Sequence, residues 1–412
     1  MVGRNLKILI LSQWCYPEPD LKALTFAKAL QQRGHTVQIL TGFPNYPGGK
    51  VYEGYKISLF KREKIDGIEI LRCALYPNHD RSAFKRILNY LSFAFFAGFA
   101  GIFKVSKADV MYVYHPPATV AIPALMIKFF RGIPVVYDIQ DMWPDTLKVT
   151  GMLNNPRLLK MIGAYMNACY KRVNHITVLS RGFRELLIER GVPASKVSVI
   201  YNWSNPINVP DFVDEEEKTA IMGNRFCILF AGTIGLAQGL DVVIRCAERL
   251  KGAGETDIEF VLLGGGVDVA RLKEQVESIG LDNIRFLGRV PNSEVGKYLA
   301  MADVLLIHLV KDKLFEITVP SKTQAYLLAG KPILVGVEGD AANLVNAAAA
   351  GYNFSPEDDH ELAEKVLLLK NMSKQQLAVL GDNGRRYYND QLSIEIGAKK
   401  FEELFMSLQK DK

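Results

Sequence analysis

The sequence predicts an α/β protein made of two consecutive Rossmann-like βαβ domains that face each other across a cleft. Three observations carry this. Short apolar runs alternate with helical patterns along the whole chain, the alternation restarts after residue 224, and a polar stretch with two prolines and an acidic run divides the halves. At 412 residues the chain also exceeds one typical core.

The run LKILILSQW reads as a strand, LKALTFAKALQQRGH as a helix and TVQILTGF as a second strand. GIEILRCAL, ADVMYVYHPP, IPVVYDIQDMW, HITVLS and KVSVIYNWSN supply further strands of the first set. The second set opens with FCILFAGTIGLAQGL, a strand, glycine turn and helix in succession, and continues through IEFVLLGGG, IRFLGRV, ADVLLIHLV and KPILVGVEG. Pro206, Pro210 and the acidic run mark residues 204–224 as a linker. This leaves an N-terminal domain over 1–203 and a C-terminal domain over 225–393. The last helix, 394–412, could cross back onto the first domain.

Composition narrows the class. An apolar share of 49% excludes a disordered chain. The five cysteines form no CxxC pair and no zinc spacing, so they read as reduced thiols of a cytoplasmic protein. The apolar part of the first strand is shorter than a signal-peptide core, and no export signal is expected. The net charge of +6 hides a division. Residues 1–200 hold 27 Lys and Arg against 13 Asp and Glu, and residues 201–412 hold 23 against 31. The first half therefore suits an anionic partner. Its aromatic residues are not interleaved with its lysines as in single-strand binders, so a membrane surface is expected and nucleic acid is not.

In open α/β sheets, ligands sit beyond the carboxyl ends of the strands, which directs attention to the βα loops. TVPSKTQAYLLAGKPILVG places Lys322 in the first turn of a helix. A cation there opposes the helix dipole unless an anion offsets it, so Pro320, Ser321, Lys322 and Thr323 read as a phosphate grip. The plain alternative is a solvated surface lysine. In FAGTIGLAQGL, Gly232, Gly235 and Gly239 form a second cradle or an ordinary tight turn. LLGGGVDVA resembles a dinucleotide fingerprint but has Val269 where the third glycine belongs, and it is set aside. At ends of first-domain strands stand His115, the carboxylates Asp138, Asp141 and Asp145, and, in the first βα loop, Glu18. Glu18, Asp138 and Asp141 are candidates for holding an acceptor's hydroxyls; helix capping by an aspartate is the alternative. The segment 84–107 carries Phe84, Ile87, Leu88, Leu91, Phe95 and Ile102 on one stripe, bracketed by Lys85, Arg86, Lys104 and Lys107. It is taken as too short for a bilayer span, which leaves an interfacial helix or a buried one.

PEPDLKALTFAKALQQRGHTVQILTGFPNYPGGKVYEGY, DIQDMWPD, FAGTIGLAQGLD, FLGRVP, ADVLLIHL and VPSKTQAYLLAGKPIL, in this order, resemble the retaining GT-B glycosyltransferases of family 4. They are most similar to bacterial O-antigen and capsule enzymes that transfer L-fucosamine (L-FucNAc). The resemblance implies a GT-B fold, a UDP-sugar held by the second domain and an acceptor held by the first. Donor contacts would fall on Gly232, Thr233, Gly235, Gln238, Arg289, Val290, Pro320, Ser321 and Thr323, with His115 and Lys322 as the catalytic pair. Two departures stand out. Ala325 replaces a glutamate that binds ribose in many relatives, with Glu316 one residue out of register for its partner. Ile234 or Gly235 and Gln238 replace the usual cations after the FAG strand. Few cations are then left for the departing diphosphate, which makes Lys322 more important.

The resemblance implies transfer without a metal or other cofactor. The acceptor would be a polyprenyl-diphosphate-linked saccharide at the cytoplasmic face of the inner membrane, with the enzyme peripheral there. Two alternatives use the same fold: a UDP-sugar 2-epimerase, which needs acid and base carboxylates, and a non-catalytic nucleotide-sugar-binding subunit.

Overall fold

The computed structural model describes residues 5–19, 22–78, 83–210 and 212–410. Leu21 of the expected first helix, Asp20 before it, Asp211 of the expected linker, residues 411–412 of the expected last helix, and residues 1–4 and 79–82 lie outside the described residues. The chain forms two compact units, Met1–Tyr201 with Gly397–Lys412, and Asn202–Ile396.

The first unit begins β1 (Lys7–Leu11), α1 (Lys22–Gln32), β2 (Thr36–Gly42), β3 (Phe60–Ile65), β4 (Ile68–Cys73). It continues α2 (Ala83–Phe103), β5 (Val110–His115), α3 (Ala121–Arg131), β6 (Val135–Ile139), α4 (Asp145–Val149) and α5 (Pro156–Arg172). β7 (His175–Val178), α6 (Arg181–Glu189) and β8 (Val197–Val199) complete it. The strands lie in the order β3-β4-β2-β1-β5-β6-β7-β8, and only β3 runs antiparallel, to β4. The central strands are buried on both faces, so they read as near-continuous apolar runs such as KILIL and VMYVYH. β3 was not expected. Its sequence FKREKI is charged because it is an edge strand, and the turn to β4 uses Asp66 and Gly67 at positive φ.

α2 corrects one expectation. It is 21 residues long, about 31 Å at 1.5 Å per residue, and Phe84–Phe103 is long and apolar enough to cross a membrane. One face packs inward through Asn89, Phe93, Ala97 and Ala100, and Gly101 lets Ile127 of α3 approach where a Cβ would lie 2.1 Å away. The other face leaves Phe84, Ile87, Leu88, Leu91 and Phe95 exposed, and Phe129 of α3 is 81% exposed. The helix is thus half core and half surface.

The second unit comprises α7 (Glu215–Met222), β9 (Phe226–Thr233), α8 (Asp241–Gly252), β10 (Ile258–Gly265), α9 (Val269–Ser278), β11 (Ile284–Gly288) and α10 (Asn292–Met301). There follow β12 (Val304–His308), α11 (Lys313–Glu316), α12 (Ser321–Ala329), β13 (Ile333–Gly336), α13 (Asp340–Ala347) and β14 (Gly351–Asn353). α14 (Asp359–Lys370), α15 (Lys374–Tyr387) and α16 (Ile394–Lys410) end the chain. The sheet is wholly parallel in the order β11-β10-β9-β12-β13-β14, the doubly wound arrangement whose direction of winding reverses between β9 and β12. Its core joins Ile228, Phe230, Val243, Leu262 and Leu306. The predicted linker contains α7, because Asp214 caps it by accepting from Glu216 N–H and three glutamates fill its first turn. Gly397 to the end of α16 belongs to the first unit, where Phe401 meets Phe26 and Tyr112 and the Glu402 carboxylate accepts from Arg33 and His35.

Candidate functional site

The reversal between β9 and β12 creates the site. β12 pairs with β9 only as far as Leu229, so the next backbone groups of β9 lack a strand partner on that side. Tyr326 of α12 takes them: its hydroxyl accepts from Ala231 N–H at 2.8 Å and donates to Ala231 C=O at 3.2 Å. Lys322 stands one turn earlier on the same helix face. Tyr326 therefore seats the helix with the Lys322 ammonium 3.5 Å from the centroid of the Phe230 ring.

Around this point lies a cavity of about 410 Å³. Gly232 and Thr233 come from the end of β9, Gly264 and Gly265 from the end of β10, Arg289 and Val290 from the turn after β11. Lys322, Ala325 and Tyr326 close it from α12. Among the described residues, the lining contains two cations and no carboxylate. The glycines are dictated by space. A Cβ on Gly264, at φ +139°, would lie 1.8 Å from Gly232 C=O, and one on Gly265 would lie 2.6 Å from Arg289 Nε. The three-glycine run set aside as an incomplete fingerprint is thus part of the wall.

Lys322 is half-buried as a residue, but its Nζ is out of solvent and has no hydrogen-bond partner among the described residues. Burial pushes its pKa down to about 7. The face of Phe230 works in the opposite sense, since a ring quadrupole favours the charged form. Arg289 is exposed beside it.

The rest of the expected grip is arranged differently. The Ser321 side chain is exposed, Pro320 caps α12 without a side-chain bond, and Thr323 is fully buried with an unpartnered Oγ1; none of the three lines the cavity. Gln238 turns back on its own loop, where its Oε1 accepts from Gly235 N–H at 3.0 Å. Gly235 and Gln238 therefore close a turn, and neither is among the residues that line the cavity. His308, which sequence reasoning passed over, fixes that turn. Its Nδ1–H donates to Gln238 C=O at 2.7 Å, and its Nε2 accepts from Glu357 N–H at 3.0 Å.

In the first unit, His115 ends β5 fully buried, in T-shaped contact with the rings of Tyr137 and Trp143 at centroid distances of 5.7 Å. Neither ring nitrogen has a partner among the described residues, and burial lowers its pKa to about 3, so the imidazole is neutral. Two expected acceptor carboxylates are committed inside the fold. Glu18 accepts from the backbone N–H groups of Cys15, Asn45 and Tyr46 at 2.8 to 3.0 Å. Asp138 accepts from Tyr112, Thr177, Gln140 and Lys22. Both side chains are 1% exposed, which corrects their expected role as hydroxyl-binding groups. Asp141 differs: it is half-buried, and burial raises its pKa. Asp145 pairs with Arg190.

Residues 22–203 match the family described as glycosyl transferase 4-like domain, and residues 211–387 match glycosyl transferases group 1. The chain is a group 1, GT4-like glycosyltransferase. Its relatives among curated proteins include WcaI of Escherichia coli, named for glycosyl transfer in colanic acid biosynthesis, 27% identical over 75% of this chain and 77% of that one. Another is the glycosyltransferase WbjE of Pseudomonas aeruginosa, 24% identical over 72% and 74%. Among solved structures, Anabaena HepE in complex with UDP and glucose superimposes with a TM-score of 0.70 at 17% identity, covering 98% of this chain and all of that one. That likeness establishes the GT-B fold of this glycosyltransferase, as the sequence predicted. Family membership also favours the transferase over the epimerase and the non-catalytic subunit.

Proposed function

We propose that this glycosyltransferase takes its sugar from a UDP-sugar bound in the 410 Å³ cavity of the second unit. The observation that carries the reading is the buried Lys322 ammonium, which has no hydrogen-bond partner among the described residues and faces a cavity whose described lining contains no carboxylate. A diphosphate there supplies the missing counter-charge, and Arg289 adds a second cation. HepE, solved with UDP-glucose, lends support from the fold. The transferred sugar is L-FucNAc and the acceptor is a polyprenyl-diphosphate-linked saccharide of O-antigen or capsule synthesis; the names of WcaI and WbjE support a glycosyltransferase reading.

In the reaction, the bond from sugar C1 to the UDP oxygen breaks as the acceptor oxygen bonds to C1 on the same face. The acceptor proton passes to the departing phosphate oxygen, so no paired acid and base are needed. Lys322 and the first turn of α12 stabilise the charge on UDP, and a divalent ion is not required. His115, being neutral, acts as a hydrogen-bonding group. The exposed stripe of α2 with Phe129, flanked by Lys85, Arg86 and Lys104, rests on the cytoplasmic membrane surface.

The test is UDP release from a panel of UDP-sugars including UDP-L-FucNAc, with and without a lipid-diphosphate-GlcNAc acceptor, in EDTA. Acceptor-dependent release that persists in EDTA is expected. Release abolished by EDTA, or donor conversion without acceptor, would sink the mechanism.

A further inference from the structure

A second cavity, of about 720 Å³, opens in the first unit between the loop after β6, α4 and α5. The reading of the donor site makes no use of it. Its wall is mixed: Trp143, Leu159 and Met166 are apolar, while Lys148, Lys160 and Arg190 are cations. Among the described residues, no acidic side chain lines it. The charge on Arg190 is already met by Asp145, which takes a bidentate bond at 2.7 and 2.8 Å. Lys148 and Lys160 are exposed, and neither has an ion-pair partner among the described residues. Met152, Leu158 and Met161 are also exposed on the same loop and helix. On its other side the Trp143 ring meets His115, so one indole separates this cavity from the end of β5.

Two unpaired lysines over an apolar floor suit an amphipathic anion. A nucleotide would leave the hydrocarbon wall unused, and an uncharged lipid would leave the lysines unused. The size is that of a site for a ligand of several hundred daltons. We propose that this cavity holds the diphosphate and first isoprenoid units of the acceptor, with the phosphates on Lys148 and Lys160 and the hydrocarbon against Leu159, Met166 and Trp143. The inference rests on the acceptor being a prenyl-diphosphate saccharide. It places the lipid end of that acceptor on α5 and its sugar end toward His115.

The probe is farnesyl diphosphate, titrated calorimetrically into the full chain with UDP saturating so that the Lys322 cavity is occupied. Inorganic diphosphate and farnesol form the control arms. Farnesyl diphosphate is expected to bind about tenfold or more tighter than either control, since only it engages both the cations and the apolar wall. The double variant Lys148→Ala/Lys160→Ala should lose about tenfold in that affinity while keeping its melting temperature and its affinity for UDP. Leu159→Ala should narrow the gap between farnesyl diphosphate and inorganic diphosphate. No saturable binding by the wild type, equal binding of bare diphosphate, or an unaffected double variant would overturn the assignment. Transfer is scored separately. A wild type that binds the probe but transfers nothing to a lipid-diphosphate saccharide ends the acceptor reading. One that transfers, with the double variant's acceptor KM unchanged, ends only the cavity assignment.

Discussion

The strand ends of the two sheets carry similar kinds of residue and use them in opposite ways. In the first sheet, Glu18 and Asp138 are buried with full sets of donors: three backbone amides for one, and a tyrosine, a threonine, a glutamine and a lysine for the other. In the second, the Lys322 ammonium is buried against an aromatic face with no hydrogen bond among the described residues. A buried charge with every partner in place is a structural device. One with none raises the energy of the empty protein and is relieved by a ligand. The difference separates groups that hold the scaffold from the group that waits for substrate.

The largest effect is expected at Asp138. Asp138→Asn removes the carboxylate that pairs with the buried Lys22 ammonium and accepts from Tyr112, Thr177 and Gln140, and a stability loss of about 3–5 kcal/mol is expected in a denaturant melt. If stability is unchanged while activity vanishes, the carboxylate belongs to the chemistry after all. Lys322→Met should do the reverse. Removing the main cation from the departing diphosphate is expected to lower kcat/KM by about 10²–10³, while the unliganded fold becomes no less stable. A variant that melts early would place Lys322 among the structural charges.

Glu18→Gln is the milder counterpart of Asp138→Asn. Weakening three backbone contacts should cost roughly 1–3 kcal/mol of stability, with donor affinity untouched. The smallest effect is on pH. The Lys322 pKa is held near 7 in the free protein, so above that pH an anion must draw a proton from solvent to bind. Donor affinity should therefore fall as pH rises, by up to about tenfold per unit. Stability should move the other way: between about 7 and the unfolded lysine value of roughly 10.4, the unfolded chain holds the extra proton, so Lys322 makes stability climb with pH. Calorimetry with UDP from pH 6.5 to 9, beside melts of Lys322→Met, reads both trends. A flat wild-type profile would mean that the ammonium is not desolvated.

Much of the architecture was legible in the chain itself. The apolar runs KILIL, VMYVYH and FCILFAGT are largely buried and need only local periodicity to be recognised, and the division into two βαβ units follows from their repetition; the GT-B fold came from the family resemblance. Elements with weaker local signals escaped. β3 is a charged edge strand whose pairing with β4 is its main support, and α7 looks like a linker because its helical cue is a cap and three glutamates. The length of α2 could be counted, but which half of it faces the core depends on where α3 lies.

The site divides along the same line. Local sequence is enough to show that Lys322 opens a helix, that glycines crowd the ends of β9 and β10, and that carboxylates and a histidine end strands of the first sheet. Which of these groups is committed inside the fold is set by long-range contacts. Tyr326 reaches Ala231 across 95 residues, Lys22 reaches Asp138 across 116, and Gln238 turns onto Gly235 because His308 holds its carbonyl. A hydrogen-bond partner is chosen by position in space, and neither residue type nor spacing along the chain records that choice.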